Sequence, residues 1–288
     1  MDHILEVGGL RKRYAGFELA DVSFRLAPGY VMGLIGANGA GRTTIIRLIL
    51  NLARKDGGEV RIFGRDHLED EAGLRDRIGV VHETPPFYDH MRAGAFAGLA
   101  GRFYTKWSDT TFRRLASEFE LPLAGRIRTY SRGMKTKLAL AIALSHEAEL
   151  LLLDEPTGGL DPVFRRELLD RLRDLLSDGR VSVVFSTHLT SDLERIADYV
   201  TLVRKGRLVL SQSVDVLRDT WCLVKGGTEL EGSNVRGMFR ARRRHAFGFT
   251  ALSDAPDKVR LALGTRVLVE RPTLADLVCF LESEDGDV

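Results

Sequence analysis

A glycine-rich segment near the N-terminus has the residue types and spacing needed to hold a phosphate group. Residues 36–44 (GANGAGRTT) match the phosphate-loop pattern G-x-x-x-x-G-K-[ST] at every position but one, because Arg42 stands where the pattern has lysine. The apolar residues 31–35 before it predict a buried strand, and helical apolar spacing begins at about Thr43. In such a loop, backbone N–H groups point inward and the helix N-terminus adds partial positive charge. The alternative is a tight turn without a ligand.

Thr43 belongs to this loop, and its hydroxyl is also positioned to bind Mg²⁺. The predicted phosphate-loop contacts are Gly36, Asn38, Gly39, Ala40, Gly41, Arg42, Thr43 and Thr44.

Two carboxylates and a histidine each follow an apolar run that predicts a buried strand. Residues 149–153 lead into Asp154 and Glu155, and residues 181–187 lead into His188. An apolar strand that ends in acids is typical of a central parallel strand with a site at its carboxyl edge. Asp154 could hold Mg²⁺ through water, Glu155 could orient or deprotonate an attacking water, and His188 could steady that water or contact a γ-phosphate. Alone, His188 would be read as an ordinary surface residue.

The remaining pattern predicts an α/β fold in two parts, a large domain over residues 1–215 and a small C-terminal α+β domain over residues 216–288. In the large domain we expect an antiparallel β flap with a turn at residues 15–16, and a mostly helical insertion over about 84–148. Strands are predicted at residues 3–7, 17–26, 59–63, 78–82, 199–203 and 207–210, and helices at 110–120, 136–144, 163–176 and 274–282.

Composition sets limits on function. Of the 288 residues, 44% are apolar and 28% are charged, which is an ordinary globular composition. The net charge is only +2, so no overall positive charge favours a nucleic-acid partner. Cys222 and Cys279 lie far apart without metal-ligand spacing, which fits a reducing, intracellular location. The N-terminus lacks the apolar core of a signal peptide, and the longest apolar runs are too short to span a bilayer. We therefore expect a soluble protein, with any membrane spans supplied by another chain.

Taken together and in order, these motifs resemble the ATP-binding cassette family, the nucleotide-binding subunits of ABC transporters, over residues 3–215. Residues 36–44 are similar to the Walker A motif, and residues 150–155 are similar to Walker B with Glu155 as its catalytic glutamate. Tyr14 resembles the aromatic residue that stacks on adenine, and His188 resembles the switch histidine. Ser131 and Gly133 stand in the signature motif, Asp161 stands in the D-loop, and Glu83 stands where the Q-loop glutamine is usual.

The resemblance implies a RecA-like core and a dimer that sandwiches two ATP molecules with Mg²⁺. In that dimer, Ser131 and Gly133 of one subunit contact the ATP that the other subunit binds. The residues that hold the metal would be Thr43, Asp154 and Glu83. A separate membrane subunit would dock in the groove between core and helical insertion, which places the chain on the cytoplasmic face of the cell membrane. The signature form YSRGMK, residues 130–135, resembles that of ABC-2-type exporters.

Three positions depart from the family pattern. Arg42 keeps the positive charge of the Walker A lysine, but its planar fork is bulkier in a tight loop. We expect that Arg42 lowers turnover without abolishing ATP binding; the open alternatives are full activity and a detuned or regulatory cassette paired with an active one. Glu83 adds negative charge beside the triphosphate, with His82 as a weaker candidate for the same place. Arg132 could contribute charge across the dimer or simply be solvated.

Two further interpretations concern nucleic acid. The rival of a transporter subunit is a cassette that acts on ribosomes or on DNA. The ribosome-acting type generally joins two cassettes in one chain, and the DNA-acting type carries long coiled-coil or zinc insertions. Neither feature is visible here. The basic run RARRRH, residues 240–245, could bind nucleic acid or anionic lipid, although a solvated loop is the favoured interpretation. We therefore expect no nucleic-acid partner.

Overall fold

Among the residues that the structure describes, the larger of two sheets carries ten strands. The fold is seen in a computed structural model, which describes residues 2–230 and 237–282. The strands of this sheet are β1 (Leu5–Tyr14), β2 (Phe17–Leu26), β3 (Val31–Ile35), β4 (Gly57–Ile62), β5 (Arg65–Asp66), β6 (Ile78–Val81), β7 (Leu150–Asp154), β8 (Ser182–Thr187), β9 (Tyr199–Arg204) and β10 (Arg207–Ser213). Their order is β5-β4-β1-β2-β10-β9-β3-β8-β7-β6. The predicted α/β fold class is confirmed.

The half of the sheet that carries the predicted site is parallel. Strand β3 lies between β8 and β9, and β7 lies between β8 and β6, all as parallel pairs. Every residue of β3, β7 and β8 is buried, as expected for strands covered on both faces. The carboxyl ends of β3, β7 and β8 therefore meet at one edge, where the phosphate loop, Glu155 and His188 follow them.

The other half of the sheet is the antiparallel flap. Strand β1 pairs antiparallel with β2 and with β4, and β4 pairs with β5. Strand β1 continues through Tyr14, well beyond the predicted residues 3–7, because Tyr14 pairs with Phe17 across the turn at residues 15–16. The β9–β10 hairpin joins this flap to the parallel strands, since β10 pairs with β9 on one side and with β2 on the other.

Helices cover both the large sheet and the small C-terminal domain. They are α1 (Arg42–Ile49), α2 (Glu71–Asp76), α3 (Ala93–Gly101), α4 (Asp109–Glu118), α5 (Arg132–Ala143), α6 (Pro162–Leu176), α7 (Thr190–Ile196), α8 (Val214–Thr220), α9 (Pro256–Leu263) and α10 (Leu274–Glu282), with short 3₁₀ turns at Ile127–Thr129, Thr228–Leu230 and Gly264–Arg266. No helix within residues 2–230 and 237–282 is both long and apolar enough to cross a membrane.

The helical segment between β6 and β7 is anchored to the sheet by its last helix and by a histidine. Helix α5 packs directly against β6. His146, just after α5, is buried; its Nε2 lies 3.2 Å from the carbonyl oxygen of Ile78, and its ring stacks on Tyr104 at 3.8 Å. Burial lowers the pKa of His146, an effect that two nearby backbone carbonyls only partly offset. The neutral ring therefore ties the segment to the sheet.

The C-terminal domain has its own sheet and core. Its strands, in the order β12-β13-β11-β14, are β11 (Cys222–Gly226), β12 (Ala241–His245), β13 (Gly248–Ser253) and β14 (Val267–Glu270). Residues 241–245 of the basic run form β12, so the favoured interpretation as a loop is wrong, although Arg243, Arg244 and His245 are exposed. Arg240 pairs with Asp254 at 2.5 Å, and Arg242 lies 5.3 Å from the ring centroid of Phe249.

Candidate functional site

The phosphate loop connects β3 to α1 and is shaped by its glycines. Gly41 is the N-cap of α1 with φ 113°, a left-handed conformation that favours glycine, and a Cβ there would lie 2.9 Å from the Phe17 ring. A Cβ on Gly36 would lie 2.3 Å from the carbonyl oxygen of Val203, so the loop approaches β9 too closely for a side chain. The loop is thus held between the flap and β9.

An open cavity of about 560 Å³ lies over this loop. Its lining residues are Gly16, Phe17, Ala37, Asn38, Gly39, Ala40, Gly41, Arg42, Thr43, Thr44 and Glu83. The structure therefore brings Glu83 together with seven of the predicted loop residues, while Gly36 is buried beneath the loop. Phe17 is an aromatic lining residue that sequence reasoning missed, although its position beside a Gly turn just upstream of the loop could have indicated it. Tyr14 does not line this cavity; it is half exposed, with the Lys12 ammonium 5.4 Å from its ring centroid.

Arg42 is directed into the protein, where it holds the predicted catalytic base. Its side chain is 8% exposed, and its Nη2 donates to Glu155 Oε1 at 2.6 Å. Its Nη1 donates to the carbonyl oxygen of Gly36 at 2.5 Å. The guanidinium fork therefore connects the phosphate loop to the end of β7 through donors on two separate nitrogens, whereas a lysine ammonium carries all of its donors on one nitrogen.

His188 approaches the same carboxylate from the next strand. Both its backbone N–H, at 3.0 Å, and its Nδ1, at 2.8 Å, contact Glu155 Oε1. Half of the His188 side chain is exposed, whereas that of Glu155 is 6% exposed. Glu155 itself adopts φ 49°, so the chain turns sharply at the end of β7 and directs the carboxylate across the sheet edge. One buried oxygen thus accepts from both Arg42 and His188.

Asp154 lies beside this group and is held separately. It is buried at the end of β7, and its Oδ1 accepts from the Ser186 hydroxyl at 2.7 Å. His82 lies near Asp154, and burial lowers the pKa of this histidine, so it is an uncharged neighbour at neutral pH. Within the described ranges, 2–230 and 237–282, no cluster of three or more His, Cys, Asp or Glu side chains could hold a metal.

The signature residues lie outside this cavity in the same chain. Ser131 is exposed and caps α5, accepting from the Met134 N–H at 3.2 Å. Gly133 approaches the D-loop closely, since a Cβ there would lie 3.0 Å from the carbonyl oxygen of Gly159. Arg132 reaches Glu83, with a nitrogen–oxygen distance of 3.7 Å. Two departures from the family pattern are therefore neighbours in space.

The D-loop has structural support that the sequence did not indicate. Asp161 is the N-cap of α6, accepting from the N–H groups of Val163 and Phe164, and these bonds lower the pKa of its carboxyl. Thr157 donates to the buried Asp192 at 2.8 Å, and Asp192 also accepts from Arg165 at 2.7 Å. The segment after Glu155 is thus fixed to α6 and α7.

Comparisons with known proteins agree with this geometry. The ABC transporter family model matches residues 19–158. The Nod factor export ATP-binding protein I of Sinorhizobium fredii (strain NBRC 101917 / NGR234) is 32% identical, and the match covers 99% of this chain and 87% of that protein. The daunorubicin resistance ATP-binding protein DrrA3 of Streptomyces coeruleorubidus is 34% identical over 223 residues, covering 75% of this chain and 70% of that protein.

Solved structures show the same fold. An ATP-binding subunit of an ABC transporter is 30% identical with a TM-score of 0.68, covering 75% of this chain and 92% of that chain. The fold is also shared with CbiO1 of Clostridium perfringens, part of the ABC transporter complex CbiONQ, at 22% identity and a TM-score of 0.61, covering 74% and 89% of the two chains. This chain therefore belongs to the family of ABC transporter ATP-binding proteins.

Proposed function

We propose that this chain is the Mg²⁺-dependent ATPase subunit of an ABC exporter. The observation that carries the proposal is the buried carboxylate of Glu155, held at the edge of the phosphate-loop cavity by Arg42 and His188. A carboxylate in that place can accept a proton from a water that attacks the γ-phosphate. Export is supported by the names of the relatives and by the signature form at residues 130–135.

The remaining site residues have roles consistent with their positions. Gly39 and Gly41 line the cavity, where their backbone N–H groups would bind phosphate oxygens. Thr43 and Glu83, which line the cavity, and Asp154 at the end of β7 would hold Mg²⁺, which when bound neutralises charge on the phosphates. Phe17, or Tyr14 after a side-chain movement, offers an aromatic surface for adenine.

Arg42 must change partners during the cycle. In the structure its two terminal nitrogens donate to Glu155 and to the carbonyl oxygen of Gly36. To reach phosphate oxygens it has to leave Glu155, which frees that carboxylate to receive a proton. Binding of the triphosphate and release of the Glu155 carboxylate therefore occur together. A slow exchange of partners by Arg42 would support the alternative of a detuned cassette.

The exposed signature residues support a dimer. Ser131 presents its hydroxyl at the N-terminus of α5, a 12-residue helix, but does not line the cavity of its own chain. In a head-to-tail pair, Ser131 and Gly133 would face the γ-phosphate bound by the partner subunit, where the helix N-terminus favours an anion. Two copies of this chain, or one copy and a related cassette, would complete the two sites.

An aromatic patch on the helical segment supports the membrane partner. The patch consists of Tyr88, Phe96, Leu99 and Phe103, of which Phe103 is 78% exposed and Tyr88 is 57% exposed. Phe96 packs edge-on against Tyr88 with ring centroids 6.0 Å apart. Contiguous exposed apolar groups mark a protein–protein interface. ABC ATP-binding subunits work with membrane subunits, and we assign this patch to that contact, which places the chain at the cytoplasmic membrane face.

Metal removal tests the proposed chemistry. We expect the purified full-length chain to hydrolyse ATP with Mg²⁺, to lose at least about 100-fold of that rate in excess EDTA, and to recover it when Mg²⁺ is restored. The Asp154→Asn variant should show the same loss with Mg²⁺ present, while Asp257→Asn, at an exposed carboxylate of the C-terminal domain, should match the wild type. EDTA-resistant hydrolysis would contradict the assigned metal role.

A surface substitution tests the membrane partner. We expect the tagged wild-type chain, extracted from its own membranes in mild detergent, to copurify with a polytopic ABC transporter subunit identified by mass spectrometry. Phe103→Ser should reduce that recovery at least about fivefold, because the patch loses its most exposed ring. Phe247→Ser is the matched control, since Phe247 is 89% exposed but lies on the C-terminal domain. Copurification of RNA or DNA instead of a membrane protein would favour the non-transport rival.

A further inference from the structure

We infer that helix α10 positions the phosphate loop, so that the C-terminal domain sets how tightly the nucleotide binds. The inference rests on nucleotide binding at the loop, but on neither hydrolysis nor transport. It follows from a continuous series of contacts that leads from the basic strand β12, through the last turn of α10, to the β9–β10 hairpin and the loop itself.

The β9–β10 hairpin contacts the phosphate loop directly. At its turn, the N–H of Gly206 donates to the carbonyl oxygen of Ala40 at 2.9 Å, and the carbonyl oxygen of Gly206 accepts from the Ala20 N–H at 2.8 Å. One residue before Arg204, the Val203 carbonyl lies against Gly36 so closely that a Cβ there would be 2.3 Å away. The hairpin therefore restrains the loop at its first residue and near its end.

The last turn of α10 lies beside the same hairpin. The Nη1 of Arg204 donates to the carbonyl oxygen of Leu281 at 2.9 Å. Between the helix end and the loop is a cleft of about 430 Å³, lined by residues 37–40, Arg204, Lys205 and Glu282. Glu282 Oε1 is buried there and has no hydrogen-bond partner among the residues that the structure describes. The end of the C-terminal helix is thus a neighbour of the loop backbone.

A second arginine holds this helix end from the C-terminal domain. On β12, Arg243 Nη2 donates to the carbonyl oxygen of Cys279 at 2.7 Å, and its guanidinium lies 5.1 Å from the ring centroid of Phe280. Carbonyls of a last helical turn lack partners within the helix and carry partial negative charge, so cations stabilise them. Arg243 and Arg204 therefore hold one helix end from two domains, which gives the basic run a function that needs no nucleic acid.

The body of α10 is packed on the large domain. Leu274, Leu277 and Phe280 are buried and belong to the same apolar core as the helical segment. The N–H of Leu274 donates to Glu194 Oε1 of α7 at 2.9 Å. Helix α10 therefore packs against α7 of the large domain and against β12 and β13 of the C-terminal sheet.

This arrangement affects affinity through preorganisation. A phosphate loop whose N–H groups already point inward binds without first losing conformational freedom, whereas a loosened loop must be ordered by its ligand. Release of the α10 end would free Arg204, and with it the hairpin that restrains Gly36 and Ala40. Nucleotide affinity should then fall, while the sheet and its core remain intact.

The test compares two arginine variants with a control in the full-length chain. We expect Arg243→Ala and Arg204→Ala each to raise the Kd for AMP-PNP, a non-hydrolysable ATP analogue, about 3- to 10-fold by calorimetry. Amide hydrogen exchange of residues 36–41 should increase in both variants without nucleotide. Arg244→Ala removes an exposed charge from the same strand and should leave both measurements unchanged.

Two results would overturn the inference. One concerns the double variant Arg204→Ala, Arg243→Ala: amide exchange becomes faster in α10, but exchange at residues 36–41 and the Kd for AMP-PNP do not change. The other is an α10 that stays as protected in the double variant as in the wild type, because the two arginines would then not hold it. Exchange requires no ligand and the Kd requires no catalysis, so an inactive or partnerless ATPase would leave the inference standing.

Discussion

Replacement of Glu155 by glutamine is expected to lower ATP turnover at least about 100-fold, the contribution of a general base, while ATP binding stays within a few fold. Glutamine keeps the Oε1 acceptor for Arg42 and the volume of the side chain, but it cannot take a proton from water. It also tolerates the left-handed backbone at this position about as well as glutamate does. The measurement is steady-state Mg²⁺-ATPase activity beside nucleotide affinity.

The same variant should reveal the assembled state. If Ser131 completes the site of a partner subunit, blocked hydrolysis should let an ATP-bound dimer accumulate, detected as a doubled mass by light scattering. Glu167→Gln is the matched control, since Glu167 is an exposed carboxylate on α6. A Glu155→Gln protein that retains most of its turnover would mean that another group activates the water. A variant that binds ATP yet remains monomeric would contradict a homodimer and favour the pairing with a related cassette.

Substitution of Arg42 by lysine is expected to raise turnover about 5- to 20-fold at saturating ATP. The arginine makes two charged hydrogen bonds that must be broken before it can turn to phosphate, and such bonds contribute about 1.5–3 kcal/mol each. Lysine can make fewer of them in the same place, so the exchange of partners costs less. The nucleotide-free variant should accordingly unfold at a lower temperature than the wild type.

Arg42→Ala separates this effect from simple loss of charge. It leaves the Glu155 carboxylate buried and without its cation, so we expect a loss of about 3–5 kcal/mol in the free energy of unfolding together with loss of ATP binding.

Equal turnover of the lysine variant and the wild type would mean that arginine performs the role of lysine without cost. A slower lysine variant would show that the loop is adapted to the arginine fork.

The strands around the site were predictable because each is a short, continuous apolar run. The predicted strand at residues 31–35 agrees with β3, and the predicted helix at 274–282 agrees with α10. Helix α3 was missed, because its sequence AGAFAGLAG contains glycines that favour neither helix nor strand. Its formation depends on tertiary contacts, such as the bond from the Gly94 N–H to the carbonyl oxygen of Leu123 at 2.9 Å.

Within the site, the participants were predictable but their connections were not. Arg42 and Glu155 are 113 residues apart, and their contact depends on β8 lying between β3 and β7. The order of strands in a parallel sheet is set by packing of the whole domain and leaves no local signal in the sequence. The same holds for α10, whose place beside the phosphate loop depends on how the C-terminal domain packs against the large domain.

The narrow pairing of β2 with β10 has a mechanical consequence. Among the described residues, the ladder between these strands has a single register pair, Arg207 with Ala20, so few backbone bonds join the flap to the parallel strands. Side-chain packing connects the flap to the parallel strands instead, because Ile46 of α1 shares one core with Leu19 of the flap and Leu34 of β3. Shear along this line would require side chains to repack and only a few backbone bonds between β2 and β10 to break. Since α1 begins at Arg42, a small tilt of the flap would alter the grip on the triphosphate.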